Sequence, residues 1–184
     1  MEQPFIDGKN IYLRGITTED VNKEYIEWLN DFEVTKDTST GIFPLSYEDV
    51  VKYIKQILHN KNEVMFAIIT KNERKHIGNI KLGDINWIHR HAYLGILIGN
   101  KKYWGKGYGT EACELLLWYA FNRLNLHKLS VALNDDNIRA IKVYKKLGFQ
   151  IEGTRRKQSF KEGKYHDAID MGILENEYFS KERK

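Results

Sequence analysis

Apolar positions change their period along this chain, and the changes divide it into elements. Asn10 to Arg14 reads as extended, and Thr17-Thr18-Glu19-Asp20 then offers the hydroxyls and carboxylates of a helix start, with Tyr25, Trp28 and Leu29 following at helical spacing. Ser46 with Asp49 makes a capping box, an Asp standing where Glu or Gln is usual, ahead of a helix carrying Val50, Ile54, Ile57 and Leu58 on one face. Two helices thus follow the first strand. VMFAIIT and HIGNIKLG flank the polar KNERK as a hairpin, and AYLGILIG, reached through INWIHRH, extends it into a meander. Helical spacing returns from Thr110 to Leu124 through Leu116, Leu117, Ala120 and Phe121. A short strand, KLSVAL, and a helix from about Asn137 to Leu147, ended by Gly148, come next. FQIEG and KYHDAIDMGIL, separated by a turn around Glu162-Gly163-Lys164, supply a closing strand pair. The sum is an α+β, or mixed α/β, fold in which helices cover a central sheet. With no repeat, low-complexity tract or linker, residues 1–184 read as a single domain.

Composition narrows the class. At 42% hydrophobic and 29% charged residues, with 2 prolines, the chain has a globular make-up and enough length for a real core. Its apolar runs are too short to span a bilayer and MEQPFIDGKN has no apolar signal core, so the expectation is a cytoplasmic protein without a membrane partner. The net charge of +4 is scattered among acids and fits an anionic small ligand as well as nucleic acid. No sheet face interleaves aromatic and basic residues, so a nucleic-acid partner is not expected. The single cysteine, Cys113, excludes an internal disulfide and a thiol-rich metal site and reads as a packing residue. His89-Arg90-His91 lacks further ligands, so no metal is expected there.

Three glycines, Gly105, Gly107 and Gly109, stand two apart in YWGKGYGTEA, between the strand AYLGILIG and the helix that begins near Thr110. Free N–H groups at a helix start, with the dipole behind them, suit a phosphate, and missing Cβ atoms let it come close; Lys106 adds a point charge. A merely convenient turn explains an isolated G-x-G-x-G as well. The spacing matches neither the dinucleotide fingerprint nor the G-x-x-x-x-G-K-[ST] loop, which disfavours a Rossmann protein or an ordinary kinase.

WGKGYGTEA, LNLHKLSVALNDDNIRAIKVYKKLGF and EGKYHDAIDMGIL, in this order and spacing, resemble the GCN5-related N-acetyltransferase superfamily from about Leu13 to Leu174. The likeness is to the branch of ribosomal-protein N-terminal, spermidine and amino-sugar-nucleotide acetyltransferases. It implies a mostly antiparallel sheet in which AYLGILIG splays from a parallel neighbour, KLSVAL, to admit the pantetheine arm of acetyl-CoA. By the same resemblance, main-chain groups near Leu97, Ile98 and Gly99 bond that arm, and the backbone of Gly105, Lys106, Gly107, Tyr108, Gly109 and Thr110 holds the pyrophosphate. Trp104 stands where the family often has Arg or Gln. Asn137 occupies a cofactor-contacting position, although it also reads as a helix cap, and Tyr144 the position whose hydroxyl protonates the departing CoA thiolate.

The attacking amine must be neutral, whereas an alkyl ammonium has a pKa near about 10, so a base is needed. Tyr93 occupies a place where spermidine-type relatives carry an acid. Asp84 is the first candidate base and His89 or His91 the alternatives; a turn cap and ordinary loop positions are their plain readings. The expected acceptor is a small-molecule amine, first the amino group of a nucleotide-linked sugar, for which Trp28, Trp87 and Tyr165 offer stacking surfaces and His89 and Tyr93 polar contacts. Core packing accounts for each Trp equally well. A polyamine is the alternative, protein N-termini come third, and a non-catalytic acyl-CoA sensor is the reading from another class. A homodimer through exposed C-terminal strand edges is open as well.

Overall fold

The computed structural model describes residues 3–38 and 40–182, so the ends of the 1–184 domain and residue 39 lie outside the described residues. The strands are β1 (Ile6–Asp7), β2 (Ile11–Gly15), β3 (Val64–Thr70), β4 (His76–Asn86), β5 (His91–Ile98), β6 (Lys128–Asn134), β7 (Gln150–Lys161) and β8 (Lys164–Leu174). The helices are α1 (Lys23–Asn30), α2 (Phe32–Thr35), α3 (Tyr47–His59), α4 (Tyr108–Trp118), α5 (Ile138–Leu147) and α6 (Glu175–Glu182). All eight strands join one sheet in the order β1-β2-β3-β4-β5-β6-β8-β7. Every pairing is antiparallel except β5 with β6.

Strand alternation puts two different layers on the sheet's faces. Ile80, Leu82, Ala92 and Leu94 face the larger core with Ala112, Leu116 and Leu117 of α4 and with Tyr144 and Leu147 of α5. The positions between them face the other way, where Tyr12, Ala67 and Ile69 pack with Tyr25, Trp28 and Leu29 of α1 and Val50 and Ile54 of α3.

Several expected boundaries move, each for a local reason. Thr17 opens a 3-10 turn at Thr18–Asp20, because Asp20 is held by Arg14 (2.8 and 2.5 Å) and by the Thr17 N–H (2.7 Å). The first α-helix begins only after Asn22, whose side chain accepts from the Tyr25 N–H at 3.0 Å. The Ser46–Asp49 box does cap α3, and Val50, Ile54 and Ile57 are buried, but Leu58 has turned to solvent at 53% exposed. The helix expected from Thr110 starts at Tyr108 and passes into a π-helical turn over Tyr119–Arg123. Neither β1, α2 nor α6 carries enough residues to give a readable period.

Candidate active site

The parallel pair is short. β5 and β6 meet only at His91↔Lys128, Ala92↔Leu129 and Tyr93↔Ser130, while β5 stays paired with β4 to Ile98↔Gly78 and β6 with β8 to Asn134↔Ala168. Beyond Tyr93 the sheet therefore splits, and among the described residues no strand fills the gap between Leu94–Ile98 and Val131–Asn134. Main-chain groups along such facing edges require partners, and an extended ligand with amide groups can supply them as an added strand would.

The glycine loop closes one end of this gap. Gly105 and Gly107 have φ of 75° and 86°, a left-handed conformation that explains glycine at both places, and Gly107 is the N-cap of α4. A Cβ at either position would meet nothing within 4 Å, so the front of the loop is open. The first N–H groups of α4, from Tyr108, Gly109 and Thr110, have no acceptor within the helix and form an anion-binding end. Gly109 differs from the other two: its φ is ordinary, and a Cβ there would rest 3.6 Å from Ile98 Cγ1. Lys106 lies with its Nζ 5.4 Å from the centre of the Tyr103 ring. The residue before the loop, Trp104, donates from Nε1 to the Ile98 carbonyl at 2.7 Å and straps the loop to the end of β5. That bond bears on the main-chain groups expected to meet the pantetheine arm. The Ile98 carbonyl is already engaged, the Gly99 N–H donates to the Ile77 carbonyl at 3.0 Å, and Gly99 is buried beneath the Trp28 ring.

Tyr144 lies on the α4–α5 side of the gap, buried, with its ring 5.1 Å from Phe149 in an edge contact. Burial first, and then the neighbouring Cys113 thiol, push its phenol well above the ordinary value, so it holds its proton at neutral pH. Burial raises Cys113 in turn to about 12, so the thiol is neutral as well. Asn137 acts as a helix cap: its side chain accepts from the Ala140 N–H at 3.1 Å at the start of α5.

Across the sheet the surroundings are polar. Lys81 stands opposite Gly95 and lays its stem over it, with Cγ 3.5 Å from where a Cβ of residue 95 would sit. Its Nζ donates to the Tyr53 hydroxyl at 3.0 Å and lies 3.9 Å from Glu63. Burial works to lower its pKa, but the Tyr53 hydroxyl, Glu63 and Asp84 outweigh it and raise the value, so the ammonium is firmly charged. Tyr93, 49% exposed, points to this face, close to the bidentate Arg155–Asp170 pair (2.8 and 2.9 Å). Sequence reasoning missed Lys81, Tyr53 and Glu63. The available signal was the polar alternation of Asn79, Lys81 and Gly83 inside an otherwise apolar strand.

The remaining sequence candidates separate. Asp84 is exposed at an irregularity between Gly83 and Asn86, with φ of 50°, and is near enough to influence Lys81. His89 and His91 stack parallel at 6.4 Å beside the closed end of the β5–β6 pair, away from the opening. Trp28, expected to offer the acceptor a stacking surface, has its ring buried between Gly99, Tyr25 and His76. Trp87 donates to the Lys61 carbonyl and to Asn62, and Tyr165 pairs with Phe160 at the tip of the β7–β8 hairpin. Neither side chain is joined to Lys81, Tyr93 or Tyr144 by a described contact. Asp135, Asp136 and His166 bring possible ligand atoms within 4.8 Å of one another, but the Lys161 ammonium already rests on Asp136 (2.6 Å) and Asp37 (2.9 Å). Surface grooves also run along the outside of α3, lined by Tyr47, Val51 and Lys55, and between α4 and α6, lined by Leu115, Trp118 and Tyr178; neither includes Lys81, Tyr93 or Tyr144.

Comparison with known proteins gives the family. A sequence model of the acetyltransferase (GNAT) domain matches residues 10–150. Spermidine N(1)-acetyltransferase of Escherichia coli (strain K12) is 32% identical over 167 residues, covering 89% of this chain and 88% of the relative. The uncharacterized N-acetyltransferase YnaD of Bacillus subtilis (strain 168) is 30% identical over 175 residues, covering 94% and 98%. Among solved structures, a chimera of the Vibrio cholerae spermidine N-acetyltransferase SpeG and hSSAT superimposes with a TM-score of 0.82 at 28% identity, over 93% of this chain and 99% of the other. No described helix is long and apolar enough to cross a membrane. With strands that part beside a glycine-capped helix and a family match over most of its length, the chain belongs to the GNAT family of acetyltransferases.

Proposed function

We propose that this enzyme moves an acetyl group from acetyl-CoA to the primary amine of a small molecule by direct attack. The observation that carries the reading is the gap beyond Tyr93 and Ser130, with a protonated tyrosine on one side and an open polar face on the other. The thioester arm enters the gap and its phosphates rest on the Gly105–Thr110 backbone and Lys106. The amine arrives from the Lys81 side, a C–N bond forms as the C–S bond breaks, and Tyr144 gives its proton to the leaving thiolate. The ammonium proton goes to Asp84, directly or through water. Asn137 contributes to cofactor binding by holding the first turn of α5, and so Tyr144, in place.

For the acceptor, the names of the relatives support a polyamine better than the nucleotide-linked amino sugar expected from the sequence. One local observation favours a second reading, an amine whose carrier is anionic: a charged lysine stands at the mouth of the gap. The test of the reaction is release of CoA thiol from acetyl-CoA with spermidine, a nucleotide-linked 4-amino sugar, a phosphorylated amino sugar and short peptides with free N-termini. Turnover with any of them establishes the reaction and ranks the acceptors. Tight acetyl-CoA binding with no thiol release would defeat the catalytic reading and favour an acyl-CoA sensor.

A further inference from the structure

We propose that Lys81 is a specificity-determining residue that selects an acceptor carrying a phosphate or carboxylate close to its reactive amine and disfavours polycations; the inference rests on the acetyl-transfer reading for the identity of the site. Its position comes first. Gly95 is two residues beyond Tyr93, the last β5 residue paired with β6, so Lys81, lying across Gly95, stands beside the point where the sheet opens. A Cβ at Gly83 would also touch Lys81, at 3.7 Å from both Cε and Nζ. Glycine at 83 and 95 leaves those two sides of the Lys81 side chain without a neighbouring Cβ, while Tyr53 and Glu63 approach it from elsewhere. The alternation of β5 puts Tyr93, Gly95 and Leu97 on the face away from Tyr144, which is the face from which an amine approaches a thioester whose thiolate departs toward the tyrosine.

The charge is available to a ligand. An ammonium has three donors, and among the described residues Lys81 makes one hydrogen bond, to Tyr53, while Glu63 at 3.9 Å is beyond hydrogen-bond length. Two N–H groups are left for an anion. Glu63 and Asp84, the acids that influence Lys81, make this a site of mixed sign. A zwitterionic acceptor fits such a pattern, its anion on Lys81 and its ammonium toward Asp84. A polycation, whose ammonium groups recur every few carbons, would set one of them against Lys81 at the cost of like-charge repulsion.

The test uses Lys81→Met, which keeps the stem over Gly95 and removes the charge, and Lys81→Glu, which reverses it. Wild-type protein loaded with CoA is titrated calorimetrically with a phosphorylated amino sugar, the same sugar without phosphate, an amino acid and spermidine, and each is also assayed for acetylation. We expect the wild type to prefer a phosphate- or carboxylate-bearing amine. Lys81→Met should weaken its binding and raise its KM by about tenfold or more with kcat nearly unchanged, and Lys81→Glu should shift preference toward spermidine. Acetyl-CoA affinity stays as in the wild type, which separates a specificity change from misfolding. The phosphate and carboxylate arms tell which anion is recognised. Wild-type preference for spermidine, an unchanged ranking in Lys81→Met, or no binding of any anionic amine would overturn the proposal while leaving acetyl transfer intact. Lys81-dependent binding of an anionic amine without acetylation of any amine would uphold the proposal and defeat the acetyl-transfer reading.

Discussion

The two faces of the sheet at the gap are built on opposite terms. On the α4–α5 side, apolar residues from neighbouring elements bury Tyr144 and Cys113 together and leave both neutral. On the α1–α3 side, charged and hydroxyl groups stay half-exposed: Lys81 with Tyr53 and Glu63, and Arg155 with Asp170 beside Tyr93. The proposed reaction, with one fixed donor and an acceptor still to be identified, accounts for this asymmetry. Under the proposed reaction the donor side fixes a proton and a thioester by packing, which tolerates little change. The acceptor side is a half-solvated surface where one substitution can reverse local charge without unsettling the core.

Breaking the donor side should have the largest effect. Tyr144→Phe keeps the packing against Phe149 but removes the proton, and turnover should fall by roughly ten- to a thousandfold with acetyl-CoA affinity little changed. Single-turnover kinetics check this; an unaltered chemical step would remove Tyr144 from the mechanism. Glycines next separate two kinds of constraint that look alike in sequence. A Cβ at Gly99 would lie 2.1 to 2.4 Å from atoms of the Trp28 ring, so Gly99→Ala should destabilise the fold by about 1–3 kcal/mol, seen as a lower midpoint in urea. Gly107→Ala meets no neighbour but must hold φ of 86°, a strain of about 1–2 kcal/mol at the cap of α4. Its main expected result is acetyl-CoA affinity about tenfold weaker by calorimetry. If Gly107→Ala binds as the wild type does, the phosphate cradle is misplaced; if Gly99→Ala is as stable as the wild type, Trp28 is not anchored as described.

The same contrast explains what the sequence could reveal. On the donor side, Asn137 caps α5, Gly148 ends it in a left-handed conformation, and Gly105 and Gly107 bend the loop before α4; each is a local signal read within a few residues. The fold class and the β3–β4–β5 meander followed from periods of two and 3.6 for the same reason, whereas the parallel β5–β6 neighbours were expected only from the family resemblance. The acceptor side is assembled from afar. Lys81 meets Tyr53 across 28 positions, and Trp28 is consumed by Gly99 and His76, contacts that no window of sequence contains. Asp20 misled for a related reason: it looked like part of a long helix start, whereas Arg14, six residues back on β2, had already claimed it.

The smallest expected effect concerns the pH dependence of stability, and it too belongs to the polar side. His76 lies against Tyr25 and Trp28, with Nε2 2.9 Å from both the Gly78 carbonyl and Asn79 Oδ1. Burial, aided by the Arg14 charge, lowers its pKa against the opposing pull of Asn79, Asp20 and Gly78. Above about pH 6.5 the imidazole is neutral folded or unfolded and contributes no slope. As pH falls below that value the unfolded chain takes up a proton that the folded chain resists, so stability declines, by at most about 1.4 kcal/mol per pH unit, until the folded pKa is passed. Asp20 acts in a lower window. Burial opposes ionisation there, but Arg14 and the Thr17 N–H outweigh it and hold the carboxyl below its ordinary value. The stability it supplies is present above about pH 4 and is lost as pH drops through the folded value. Urea midpoints measured from pH 7 to 5 should therefore fall for the wild type and fall less for His76→Gln, with both chains losing stability together only in the more acid range. Equal slopes in the two proteins between pH 6.5 and 5 would mean that His76 is free to protonate in place, and that the layer beneath Trp28 is wetter than its packing implies.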